Sequence, residues 1–462
     1  MALEEILAHK RVEVAARKRS ASLESLLAGA GPGNRGFEAA LRAGRPGFIL
    51  EIKFASPSAG VIRSGSDLDP VLASYGRHAD AVSVLTDERF FGGSLARLAQ
   101  VRERIRQPLL CKDFILDPFQ VAEARVHGAD AILLILAAID DAAWTACAGL
   151  AARLGMDVLT EVHDEAEVRR AVDLGARIIG INNRNLGTLA VDLDTTLRLA
   201  PLIPPGRLVV AESGITTRTD VGTLLPHADA FLVGSALMRE PDLDRAVRSM
   251  VYGRTKICGL TRPEDAAAAC AAGATHGGLM FVPSSTRLVT AETAEQIRAA
   301  ALLEWVGVFA GQSPEVIADL AHRLELAAVQ LHGKEDATEV RRVRALVPEG
   351  CEVWKAVRVR GRLPLRGETG AGRLLLDGWS PGKLGGTGAA FDWSLLASYP
   401  ERHTVVLAGG LNAANVEQAA PLGTWALDLS SGVESAPGRK DPEKLRDFFS
   451  ARRRLPSRSD TP

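Results

Sequence analysis

Cysteine is scarce in this sequence, with five in 462 residues: Cys111, Cys147, Cys258, Cys270 and Cys351. The number is odd and no two form a Cys-x-x-Cys pair, which argues against a disulfide framework and against a zinc site. The nine histidines are scattered without ligand spacing, so no metal is expected. An excess of one charge is also missing. A formal net charge of −1 gives no general attraction to nucleic acid or to an anionic membrane, and neither is expected as a partner. No apolar run reaches the roughly 20 residues of a membrane span. Met1 to Arg19 reads as a charged helix without the apolar core of a signal peptide, so the expected compartment is the cytoplasm. No Gly-x-Gly-x-x-Gly follows a first strand, which disfavours a doubly wound dinucleotide-binding sheet.

What remains is the profile of a globular protein, 47% hydrophobic and 24% charged. The length exceeds one ordinary core and suits two domains of about 200–250 residues. Short apolar runs recur along the chain, each followed by an amphipathic helical pattern. In the first half they lie near Phe48–Ile52, Ala81–Leu85, Leu109–Lys112, Ala131–Ile135, Val158–Glu161, Ile178–Ile181, Leu208–Ala211 and Ala230–Val233. In the second half they lie near Thr255–Cys258, Gly277–Phe281, Trp305–Val308, Ala328–Leu331, Glu352–Ala356, Leu374–Leu376, Val405–Ala408 and Ala426–Leu429. Alternating strands and helices predict parallel sheet, and eight units predict closure. The expected fold is therefore α/β, two tandem (βα)8 barrels, over residues 1–252 and 253–452. Residues 1–45 are expected to add helices at the bottom or rim of the first barrel, and 453–462 to fray.

Polar residues close the apolar runs, where such a barrel keeps its chemistry. In the first half these are Glu51, Lys53, Lys112, Glu161, Asn182, Arg184 and Glu212. Glu51 and Lys53 are two apart on one strand, so both face the interior. An interior lysine or glutamate is costly unless paired or functional. A structural salt-bridge network is the plainer alternative for any single one of them. Together, two lysines and three glutamates at one rim suit acid–base chemistry on an anionic substrate. In the second half, Cys258 ends the first strand and Asp377 the sixth, a plausible base and acid. A buried cysteine is more often inert packing, and a thiolate base needs its pKa lowered by nearby donors.

Small residues follow strands seven and eight in both halves. They are Ser213-Gly214 and Gly234-Ser235, then Gly409-Gly410 and Ser430-Ser431-Gly432. Backbone N–H groups there can hold a phosphate. Any one pair could be an ordinary turn, but four at matching positions point to sugar-phosphate substrates in both halves.

The motifs Glu51-Ile-Lys-Phe-Ala-Ser-Pro-Ser58, Leu110-Cys-Lys-Asp-Phe-Ile-Leu-Asp-Pro118, Gly180-Ile-Asn-Asn-Arg184 and Ala211-Glu-Ser-Gly-Ile215 resemble those of indole-3-glycerol phosphate synthase, over about residues 1–250. The resemblance implies ring closure of carboxyphenylamino-deoxyribulose phosphate with loss of CO2 and water. It implies Lys112 as general acid, Glu161 in dehydration and rearomatisation, and Lys53 as holder of the substrate anion with a share in the acid role. Glu51, Asn182 and Glu212 would orient the sugar and the developing cation. Ser56 and Arg184 would serve the carboxylate end or the loop, Ser213 would contact substrate, and Gly214, Gly234 and Ser235 would take the phosphate. Phe90, Phe91 and Phe114 are candidates for the apolar face of the anthranilate ring. Phe54 and Ala59 stand where this family often has lysine, which alters the charge of the loop.

In the second half, Lys256-Ile-Cys-Gly-Leu-Thr-Arg262, Gln330-Leu-His-Gly333, Leu376-Asp-Gly378, Gly385-Gly-Thr-Gly388, Phe391-Asp-Trp393, Ala408-Gly-Gly-Leu-Asn412 and Ser431-Gly-Val-Glu434 resemble phosphoribosylanthranilate isomerase, over about residues 254–450. That resemblance implies an Amadori rearrangement. Asp377 would open the furanose and Cys258 would remove the C2 proton. Arg287 would clamp the anthranilate carboxylate, His332 and Asp428 would line the site, and Gly410, Ser431 and Gly432 would bind phosphate. Ser284-Ser-Thr-Arg287 departs from the family's usual Ser-Pro-Arg.

Together the halves read as a bifunctional enzyme of tryptophan biosynthesis, the second barrel supplying the first. Its partners would be small sugar-phosphate and anthranilate substrates, with no cofactor, and two covalently joined barrels could suffice as a monomer. One alternative is a related aminoaldose isomerase of histidine biosynthesis, expected to use two aspartates; Cys258 argues against it. Another is that one barrel serves only as a structural or binding domain. Lys112, Glu161, Cys258 and Asp377 are all present, which argues against that.

Overall fold

A computed structural model describes residues 3–44, 46–57, 60–63, 68–359, 361–378 and 391–454. Ala59, the Gly385–Gly388 motif and the tail beyond 454 lie outside the described residues. The chain divides into two compact units at the helix Leu243–Tyr252, between Val247 and Arg248.

The first unit is a closed parallel barrel of eight strands. They are β1 (Gly47–Ile52), β2 (Ala81–Leu85), β3 (Leu109–Lys112), β4 (Ala131–Ile135), β5 (Asp157–Val162), β6 (Ile178–Asn182), β7 (Leu208–Glu212) and β8 (Ala230–Val233). Each pairs with the next, and β8 returns to β1 with Gly47 opposite Ala230. Strands in such a barrel are covered on both faces, so they read as continuous apolar runs. β1, Gly-Phe-Ile-Leu-Glu-Ile, is buried throughout. Its alternation sends Ile49 and Glu51 to one face. Ile49 joins Leu110, Leu133, Leu159, Val210 and Leu232 in the interior core. Glu51, Lys112, Glu161 and Glu212 lie two residues further along their strands, so the interior turns from apolar to charged toward the carboxyl ends.

Three helices precede the barrel: α1 (Leu3–Ser20), α2 (Leu23–Gly29) and α3 (Phe37–Gly44). α3 closes the amino end, with Phe37 and Leu41 in the interior core and Glu38 N–H donating to Asp157 at the start of β5. α1 lies at the other end, where Leu3 and Ile6 line the cavity. The extension thus reaches the mouth as well as the bottom. Lys10 fastens it: fully buried, its Nζ sits 2.8 Å from both Asp87 and Asp113. Trp144 donates from Nε1 to Thr160 at 3.2 Å, beside Glu161 in sequence.

The second unit closes in the same order. Its strands are β9 (Thr255–Cys258), β10 (His276–Met280), β11 (Glu304–Phe309), β12 (Ala328–Leu331), β13 (Glu352–Val359), β14 (Arg373–Gly378), β15 (Val406–Leu407) and β16 (Ala426–Leu429). Its interior holds Val306, Ala328, Trp354, Leu375, Val406 and Ala426. Trp354 and Trp425 meet edge to face at 5.5 Å, and the Arg373 guanidinium lies 3.7 Å from the Trp425 ring centre. After β16 a short antiparallel hairpin pairs Glu434–Ala436 with Arg439–Lys440.

Two candidate active sites

A cavity of about 460 Å³ opens at the carboxyl ends of the first barrel. Glu51, Lys53, Ser56, Lys112, Phe114, Glu161, Asn182, Arg184, Glu212, Ser213, Gly214, Gly234 and Ser235 all line it. Lys112 Nζ lies 2.8 Å from Glu212 and 3.5 Å from Glu161, and Lys53 Nζ lies 3.4 Å from Glu51. Burial alone would lower the Lys112 pKa. The carboxylates of Glu212, Glu161 and Glu51 outweigh it and hold the ammonium above its ordinary value. The two nearest carboxylates move apart. Burial and the charges of Glu161 and Glu51 push Glu212 up, although it is the closer to Lys112. Burial opposes ionisation of Glu161 too, but Lys112, His163 and Asn182 together pull it down. The extra donors on Glu161 account for the divergence.

Phe91 and Phe114 line one wall, their ring centres 6.1 Å apart, with Lys53 Nζ 5.8 Å from the Phe91 centre. Phe90 does not join them: it meets His9 edge to face at 5.7 Å. Phe54 carries the Arg97 guanidinium over its ring at 4.8 Å. Ser213 takes a left-handed backbone (φ 65°), uncommon for a residue with a side chain. Asn183 braces it, donating to the Ser213 carbonyl at 3.1 Å while accepting from Thr196. Arg184 donates to the Leu189 carbonyl at 2.9 Å and so helps close the loop over the rim.

The second barrel holds a cavity of about 650 Å³, lined by Cys258, Arg287, His332, Asp377, Gly410, Asp428, Ser431 and Gly432 among others. Lys256, two residues before Cys258 on β9, faces the same interior and is fully buried. Its ammonium lies 2.9 Å from Asp428, and the neighbouring Asp428 and Cys258 hold its pKa above the ordinary value against burial. Gly278 on β10 makes room for this pair: a Cβ there would stand 2.9 Å from Cys258 Sγ and 3.0 Å from Lys256 Cε. Burial raises the Cys258 pKa more than Lys256 and Lys440 lower it, so the expected lowering is not found. Burial and the charge of Asp428 raise Asp377 to about 6. His332 Nε2 stands 3.8 Å from Asp377, and burial with nearby cations lowers its pKa to about 4, so it is neutral. Arg287 is held by Glu434 in a two-point ion pair.

Sequence reasoning gave no role to His163, Asn183, Lys256, Glu434, Lys440 or Lys10. For His163 and Lys256 a signal existed, since each stands two positions from a named residue, Glu161 and Cys258, on a strand or its end.

Two closed parallel barrels, each with an acid–base cluster at the carboxyl ends of its strands, define a tandem (βα)8-barrel protein with a candidate active site in each barrel. Residues 3–250 match the family model for indole-3-glycerol phosphate synthase, and residues 255–451 that for N-(5'phosphoribosyl)anthranilate (PRA) isomerase. The chain belongs to the family that joins these two enzymes in one polypeptide of tryptophan biosynthesis, a decarboxylating lyase followed by an isomerase. The tryptophan biosynthesis protein TrpCF of Vibrio cholerae is 50% identical over 90% of this chain and 88% of its own. That of Vibrio parahaemolyticus is 47% identical over 97% and 93%. A solved phosphoribosyl anthranilate isomerase from Thermus thermophilus is 39% identical, covers 43% of this chain and 97% of its own, and has a TM-score of 0.39.

Proposed function

We propose that each barrel performs its reaction with the side chains that converge on its own cavity. In the C-terminal barrel, the phosphate of phosphoribosylanthranilate rests on the backbone of Gly410, Ser431 and Gly432, and its carboxylate on Arg287. Asp377 donates a proton to the ring oxygen and the furanose opens to a Schiff base. Its raised pKa keeps that proton available near neutrality. Cys258 takes the C2 proton, and the resulting enolamine tautomerises to the aminoketose. Neutral His332 and Asp428, which is paired to Lys256, line the pocket around it.

In the N-terminal barrel the aminoketose phosphate binds at Ser213, Gly214, Gly234 and Ser235. Its aromatic ring lies against Phe114, and Lys53 and Ser56 hold the carboxylate end. Lys112 protonates the carbonyl oxygen as the aromatic carbon attacks. Carbon dioxide leaves, and Glu161 serves the dehydration that completes the indole. Glu51, Asn182 and Glu212 orient the sugar hydroxyls, and Arg184 orders the loop. Both steps are proton transfer and carbonyl chemistry, for which this reading invokes no cofactor. The proposal includes a monomeric cytoplasmic protein with barrels over 1–252 and 253–452.

The observation that carries the reading is the convergence of each motif set on one cavity. Product analysis from phosphoribosylanthranilate tests it. The expected result is indole-glycerol phosphate from the unaltered chain. Lys112→Ala should accumulate carboxyphenylamino-deoxyribulose phosphate, and Cys258→Ala or Asp377→Asn should leave the substrate unconverted. Near-normal isomerase turnover in Cys258→Ala would refute the assignment of the base.

A further inference from the structure

Next to the isomerase cavity, Glu434 ties together three segments far apart in sequence. It follows the Ser431–Val433 turn, opens the hairpin after β16 and is buried. Arg287, from the loop after β10, donates from Nε to Oε1 at 2.8 Å and from Nη2 to Oε2 at 2.6 Å. Lys440, on the returning strand of the hairpin, donates to Glu434 Oε1 at 2.7 Å, to the Cys258 carbonyl at 2.6 Å and to the Ser430 carbonyl at 3.3 Å. Gly438 N–H adds a bond to Oε1 at 3.3 Å. The arginine stem lies on the backbone beside the thiol: a Cβ on Gly259 would stand 2.4 Å from Arg287 Cδ.

A guanidinium has five N–H groups in one plane. The side-on pair with Glu434 uses Nε and one hydrogen of Nη2. The end-on edge, Nη1 with the second hydrogen of Nη2, can still grip another carboxylate with two bonds. Glu434 cancels one positive charge, but Lys440 stands in the same cluster. Lys440 shares Oε1 of Glu434, so that carboxylate is not spent on the guanidinium alone, although burial holds the Lys440 pKa below its ordinary value.

We infer that Glu434, braced by Lys440, is a positioning residue that presents the end-on edge of Arg287 to the cavity and so fixes the substrate's aromatic carboxylate relative to Cys258. The inference rests on the proposal that Arg287 binds that carboxylate. Glu434 therefore sets selectivity for an N-aryl group with an ortho carboxylate over an uncharged one.

The test compares phosphoribosylanthranilate with N-(5-phosphoribosyl)aniline, which lacks the carboxylate, in the full-length chain. Glu434→Gln should raise KM for the first at least tenfold, change kcat less, and leave KM for the second within about threefold. On an Arg287→Ala background the same change should add nothing further, since the two residues act as one unit. Glu434→Asp, which keeps the charge, should fall between and carries the test if Glu434→Gln fails to fold. An unchanged KM in Glu434→Gln overturns the inference. Equal losses on both substrates also overturn it, by marking Glu434 as a structural residue. If Arg287→Ala raises KM for both substrates alike, or for neither, the assignment of Arg287 falls, and this inference with it.

Discussion

In the first barrel two ammonium groups, Lys112 and Lys53, face the three carboxylates of Glu212, Glu161 and Glu51. His163 supplies the positive charge that arrangement lacks. Its Nε2 is 3.2 Å from Glu161 and its Nδ1 is 3.1 Å from Glu167. Burial disfavours the imidazolium, but the two carboxylates raise its pKa to about 10, so it is charged at neutral pH. This folded value lies above the unfolded one of about 6.5. The stabilisation is complete below about 6.5 and is lost as pH rises through the folded value. His163→Asn should slow ring closure roughly tenfold or more, the worth of one charge-assisted hydrogen bond, and spare isomerisation; steady-state assays of both activities check it. In the other barrel burial and Asp428 raise the proposed acid, Asp377, to about 6, while burial holds the Cys258 thiol above its ordinary range. The competent form needs the first protonated and the second ionised. Its population rises with pH up to about 6, stays level while gain of thiolate offsets loss of acid, and falls beyond the thiol pKa. The expected kcat/KM profile for isomerisation is a plateau from about pH 6 to beyond the ordinary thiol value. A profile that falls away by pH 7 would contradict the pairing.

Strands were the elements most legible in the amino-acid order, for a physical reason. A strand covered on both faces is an unbroken apolar run, and its carboxyl end is where a polar residue interrupts it. Ala81–Leu85, Leu109–Lys112 and Ala426–Leu429 lie where the apolar runs place them. β15 shortens to Val406–Leu407. The catalytic candidates were legible for the same reason, since Lys112 and Cys258 end their runs. Glu434 was not, because its partner Arg287 lies 147 residues away and no local periodicity links them. Nor was Lys10, whose helix is charged on most faces and shows its role only through Asp87 and Asp113. That buried ion pair yields a prediction for α1. Lys10→Met strands two buried carboxylates, a loss of about 3–5 kcal/mol. Because Leu3 and Ile6 on the same helix line the cavity, the denaturant midpoint for loss of ring closure should drop. The midpoint for isomerisation should stay in place.

For the whole molecule, one proposed site per barrel predicts that the two chemistries are separable by mutation. An equimolar mixture of Lys112→Ala and Cys258→Ala chains should convert phosphoribosylanthranilate through to indole-glycerol phosphate, each chain supplying what the other lacks. Time courses of both products check it; persistent accumulation of carboxyphenylamino-deoxyribulose phosphate would mean that the Cys258→Ala chain does not take up intermediate released by another chain. The uneven placing of tryptophan has an optical consequence. Of six tryptophans, Trp144 alone belongs to the first unit, and Trp354 and Trp425 touch at the amino end of the second. Intrinsic emission from the intact chain is therefore chiefly a signal of the C-terminal half. Replacing the other five with phenylalanine would leave Trp144, bonded to the residue before Glu161, as a one-colour reporter of the N-terminal half.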